Sequence, residues 1–156
     1  MQRQQVEELT YAVNNMLTLY VEVHDGIFTH PWWRSIPIPG LFKKIDFARY
    51  AIQISHIEKQ LSEVEVHIAA LYAVAMPNEK EFVGALHQYT KALIGAVAAL
   101  AVVVRRMHGK TEGQPYSLSE YHRDVAIYKE AEKPYHALGA DMNRIWLTYQ
   151  HEHFGN

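Results

Sequence analysis

Apolar residues recur in this chain at alternating steps of three and four, and they do so four times over. That spacing keeps each set on one face of a helix. The first stripe is Val6, Leu9, Val13, Met16, Tyr20, Val23. The second runs Phe47, Tyr50, Ile54, Ile57, Leu61, Val64, Ile68, Leu71, Ala75, and the third Phe82, Leu86, Tyr89, Leu93, Ala96, Leu100, Val103, Met107. The fourth is Tyr121, Tyr128, Ala131, Tyr135, Leu138, Met142, Ile145, Tyr149. A repeat near 3.5 drifts slowly around a helix, which suits long helices packed almost in line. No strand-period segment of useful length competes with it.

Punctuation falls between the stripes. Asp25-Gly26 offers a left-handed end to the first helix. Met76-Pro77-Asn78 separates the second from the third, with Asn78 and Glu81 spaced as a capping box. Gly109 to Pro115 separates the third from the fourth, and Ser117 with Glu120 makes a second box. The spacing predicts helices near 3–24, 41–75, 78–108 and 118–153, all within a single 1–156 domain. Short loops at 76–77 and 109–117 make consecutive helices antiparallel neighbours, so the expected fold is all-α, a four-helix up-down-up-down bundle of long helices. Pro134 lies within the fourth helix and predicts a kink or a break there.

The stretch Gly26 to Gly40, GIFTHPWWRSIPIPG, is long for a bundle connection. Its three prolines prevent a regular helix, and Phe28, Trp32 and Trp33 are costly to leave in water. The first helix is short by this reading, so the loop is expected to fill the groove left open, burying Trp32 or Trp33. The other reading makes these two tryptophans an aromatic recognition lip.

At 156 residues, with 49% hydrophobic and 21% charged residues, the chain has enough apolar material for a core. There are no cysteines, which removes disulfides, thiolate chemistry and Cys-ligated metals. A net charge of −2 gives no strong nucleic-acid signal. The polar start MQRQQVEELT has no apolar signal core, and the longest apolar run, Ala92 to Val104, falls short of the ~20 residues that span a bilayer. A cytoplasmic location without membrane insertion is expected.

Ten histidines in a helical bundle raise the question of a metal site. Ferritin-like centres need Glu-x-x-His, which does not occur. His136-x-x-x-x-Asp141 resembles one element of the hemerythrin-like pattern. His56 with Gln60 and His87 with Lys91 depart from it where a Glu and a second His would be required. With the stripes set as a and d, His87, His108, His122 and His136 fall at b, and His56 and His151 at c. His24, His67 and His153 fall at flanking positions, so none is expected to point into the core. Asp124 and Glu152 are the acids found at a or d, leaving general acid–base chemistry without obvious players. Neither a cofactor nor a metal is expected. Arg49-YAIQIS-His56 resembles the Arg-x4–6-His motif of HEPN-like helical ribonucleases, a resemblance that implies nuclease chemistry at those two residues. No family is recognised across the chain.

The third helix exceeds what a plain bundle needs. Beyond its stripe lie Ile94, Gly95, Val97, Ala98, Ala99, Ala101, Val102 and Val104. Ile94, Ala98, Ala101 and Val102 would form an outward apolar strip, and a helix apolar all round is normally buried all round. A second copy of the chain is the expected cover, with cover by the chain's own 26–40 loop or fourth helix as the alternative. The sequence therefore reads as a non-enzymatic, homo-oligomeric interaction or accessory protein that presents its helical faces and the Trp-rich loop to a partner macromolecule, a protein partner being the expectation. The alternative is an enzyme, either HEPN-like through Arg49 and His56 or metal-dependent through surface histidines.

Overall fold

A computed structural model describes residues 2–28 and 45–154. The described residues form four α-helices: α1 (Gln2–Phe28), α2 (Phe47–Val74), α3 (Pro77–Thr111) and α4 (Leu118–Phe154). The all-helical expectation holds, and each predicted apolar stripe lies within one helix, save Ala75, which caps the end of α2. The loop reading of Trp32 and Trp33 falls outside the described residues.

Several helix ends differ from the sequence reading, among them the end of α3, which runs on to Thr111. α1 does not stop at Gly26 but continues to Phe28. A Cβ at Gly26 would sit 1.9 Å from the Tyr50 hydroxyl, so the glycine admits a side chain from α2 rather than capping the helix. α2 begins at Phe47, six residues later than expected. Its cap is Asp46, whose carboxylate accepts the Arg49 backbone N–H at 3.0 Å. α3 begins at Pro77 with Met76 as its cap and no side-chain cap hydrogen bond, so Asn78 is not the cap residue. Proline suits the first position because its missing N–H is one the helix start leaves unpaired in any case.

The fourth start matches expectation. The Ser117 N–H donates to Glu120 Oε2 at 2.8 Å, while the Glu120 N–H donates to Ser117 Oγ at 3.1 Å. The Ser117 backbone N–H, and after it the Ser117 hydroxyl, hold the Glu120 carboxyl below its usual range. Between α3 and α4 the chain turns at Gly113, whose φ of 90° favours glycine. α4 is continuous through Pro134 and does not divide there.

α3 is the hub. It packs against α1, α2 and α4, and α1 also packs on α2. Along the α2–α3 seam Glu58 pairs with Arg105, and His87 Nε2 meets Glu65 Oε1 at 2.6 Å. The core is aliphatic on α2 (Ile54, Ile57, Leu61, Ile68) and on much of α3 (Leu86, Leu93, Val97, Leu100, Val104). On α4 the buried core side chains are Tyr128, Tyr135 and Tyr149. No Cα of α1 comes within 8 Å of a Cα of α4. Tyrosine reaches further from its backbone than leucine or valine, so a helix that packs through tyrosine tips stands further off.

Much of the surplus apolar surface of α3 is thereby accounted for, because three helices cover it. α3 is also long and apolar enough to cross a membrane by length and composition. The core helix of a packed bundle has the same composition.

Candidate functional site

The outer stripe of α3 reads Gln88, Lys91, Gly95, Ala98, Val102, Arg105, all exposed and spaced by three and four. Of the four residues expected to form an outward strip, Ala98 is exposed and Val102 is 43% exposed. Ile94 is half-buried at the margin. Ala101 is a correction: it is fully buried within the chain's own core. A position three residues past Ala98 turns far enough around the helix to meet a neighbouring helix. The outward apolar face is consequently narrower, centred on Gly95, Ala98 and Val102. A Cβ at Gly95 would meet nothing within 4 Å, so this face is open.

A polar cluster joins α1 to α4. The Tyr20 and Tyr128 hydroxyls lie 2.5 Å apart. Both reach Glu132 Oε1, from Tyr128 at 2.7 Å and from Tyr20 at 3.1 Å. His24 Nδ1 lies 2.7 Å from the Tyr128 hydroxyl and 3.6 Å from Glu132 Oε1, and His136 Nε2 is 4.0 Å from the same oxygen. Phe28 stacks on Tyr128, and Tyr135 meets Tyr20 edge to face.

Each tyrosine carries one O–H. Tyr128 donates to Glu132 Oε1, and Tyr20 donates toward the oxygens of Tyr128 and Glu132. The contact with His24 Nδ1 takes its direction from the ring tautomer. Burial pushes the Tyr20 hydroxyl far up, and the hydrogen bond with Tyr128 adds to this. Burial also raises Tyr128, with Glu132 adding to it and the bond from Tyr20 opposing it. Both phenols therefore act as donors and stay neutral, which suits a structural clamp better than proton abstraction.

Beyond this clamp a groove of about 440 Å³ opens between α1 and α4, with α3 as its floor. α1 contributes Thr10, Tyr11, Val13, Asn14 and Leu17, α3 contributes Leu86 and Tyr89, and α4 contributes Gly139, Met142, Asn143, Trp146 and Gln150. None of these residues carries a charge.

A second buried polar group ties the α3–α4 turn. Asp124 Oδ2 accepts from Arg106 and from the Tyr116 hydroxyl, each at 2.8 Å. Arg49 and His56 are both exposed on α2, with the Arg49 guanidinium 5.9 Å from the centre of the Tyr50 ring. Among the described residues no three His, Asp or Glu side chains converge to hold a metal ion.

Sequence reasoning placed Tyr20, Tyr128 and Tyr135 on the core face but missed Glu132 and set His24 aside. Both flank the a and d stripe, where residues ordinarily face water. The available signal was the i, i+4 spacing of Tyr128 and Glu132, which puts phenol and carboxylate on one helix face. No family model, curated protein or solved structure matches the chain.

Proposed function

We propose that this protein is a non-enzymatic, homo-oligomeric helical-bundle interaction protein of the cytoplasm, assembling through the outer face of α3. The supporting observation is the open run Gly95, Ala98, Val102 between the charged ends Lys91 and Arg105. Small residues let two helix backbones approach closely, and a second copy offers a surface of the same shape.

Ala98 lies midway between Lys91 and Arg105, so an antiparallel crossing of two copies there sets Lys91 of each near Arg105 of the other, with Glu58 as the carboxylate beside them. The up-down-up-down course of the chain belongs to this proposal. In its support, rising residue numbers on α2 meet falling numbers on α3, Glu58 with Arg105 and Glu65 with His87. A bend of α4 at Pro134 is part of the same reading, on the strength of the backbone hydrogen bond proline cannot make.

The experiment compares two glutamates three residues apart. Ala98→Glu puts an unpaired carboxylate into the contact between copies and should cost several kcal/mol of association, roughly 3–5. The variant should run smaller by light scattering while keeping its helical circular dichroism. Ala101→Glu puts the same charge into the chain's own core and should unfold it. If Ala98→Glu keeps the wild-type mass, the contact lies elsewhere.

A further inference from the structure

We propose that the α1–α4 groove is a binding site for an uncharged, flat aromatic small molecule that lies against Gly139 and hydrogen-bonds to Tyr89. Four observations carry it, and none depends on how copies of the chain assemble.

The first is shape. The groove holds about 440 Å³, within the range of drug-sized ligand sites. At one end Tyr135 meets the lining residue Tyr89 edge to face, with centroids 6.3 Å apart. Toward the other end Trp146 stacks on Tyr149.

The second is charge. Every lining residue is neutral, so a phosphate, carboxylate or ammonium group would lose water without gaining a counter-charge. Tyr11, Tyr89, Trp146 and the Met142 thioether supply polarizable walls suited to a π system. Asn14, Asn143 and Gln150 supply neutral donors and acceptors for polar edges.

The third is Tyr89. It is 8% exposed, lines the groove, and its hydroxyl makes no hydrogen bond to another described residue. The hydroxyl reaches solvent at the groove, so a ligand's polar group can take the place of water there. Burial, with Tyr135 nearby, pushes it up to about 12, so it remains a neutral donor.

The fourth is Gly139. A Cβ there would lie 3.7 Å from Tyr89 Cε2, so alanine would be tolerated on packing grounds. Without a side chain, the position leaves α4 backbone bare beside the edge of the Tyr89 ring at the groove wall.

The test uses N-phenyl-1-naphthylamine, an uncharged fluorophore, and its anionic sulfonate counterpart 1-anilinonaphthalene-8-sulfonate. The neutral dye should bind saturably at one per chain, and the sulfonate at least about tenfold more weakly. Tyr89→Phe should weaken the neutral dye by about fivefold through loss of the hydrogen bond that the dye's amine N–H donates to the Tyr89 oxygen. Gly139→Leu fills the α4 wall and Asn14→Phe fills the exposed rim, and each should weaken binding by about tenfold or more with circular dichroism unchanged. If Gly139→Leu misfolds, Asn14→Phe decides the matter, because Asn14 is exposed. Failure of the neutral dye to saturate, equal affinity for the sulfonate, or wild-type binding by Asn14→Phe would each overturn the proposal.

Discussion

Tyr20 and Tyr128 meet hydroxyl to hydroxyl across α1 and α4, 2.5 Å apart, where no Cα of one helix comes within 8 Å of the other. The two side chains span the gap tip to tip. They act as a strut, and Glu132 and His24 hold its middle. The α1–α4 groove lies beside this strut because the helices it spaces are otherwise unjoined there.

Removing the Tyr128 hydroxyl takes a partner from Tyr20, His24 and Glu132 together. Tyr128→Phe should destabilise the fold by about 1–3 kcal/mol, the range for stranding buried polar groups. Tyr20→Phe should cost about 1 kcal/mol, because Tyr128 still serves Glu132. The double variant should cost less than the sum, since both lose the same contact. Chemical denaturation of the four proteins measures the coupling. Strict additivity would show that the strut is two separate contacts.

Alkaline pH should weaken the fold through the same tyrosines. Burial is the first cause of the upward shifts of Tyr20, Tyr128 and Tyr89, the last to about 12. The folded chain therefore keeps phenol protons that the unfolded chain releases near pH 10. Their stabilisation is complete below that value and is lost as pH rises through the folded values. Denaturation midpoints should fall progressively from pH 10 to 11.5, and a flat profile would contradict the buried, neutral assignment.

Asp124 should be among the costlier single truncations outside the aliphatic core. Asp124→Ala strands the Tyr116 hydroxyl and removes the acceptor for Arg106, which is itself partly exposed. A loss of about 1–3 kcal/mol is expected, read by thermal or urea denaturation. Ser117→Ala, by comparison, should cost about 1 kcal/mol, the ordinary worth of a helix N-cap.

The sequence made the helices legible because burial in a bundle imposes the 3.5-residue rhythm that Ile54, Ile57, Leu61 and Ile68 display. Ser117 and Glu120 were legible because a capping box is local chemistry. Gly26 was misread because its reason is distant: it makes room for Tyr50, on another helix. Ala101 was misread for a related cause. An all-apolar helix must be covered, but periodicity does not say whether a third neighbour of the same chain or a second copy covers it. The hub position of α3 settles that for Ala101 and leaves Ala98 outside. Glu132 escaped notice because its partners lie on α1 as well as its own helix.

Assembly through α3 is tested most directly by light scattering of the native protein from low to high micromolar concentration. The chain mass is 18.0 kDa. The expected result is a mass at a whole-number multiple of that value, lowered toward a single chain by Ala98→Glu with helical content retained. A native protein that stays at the single-chain mass at high micromolar concentration would contradict it.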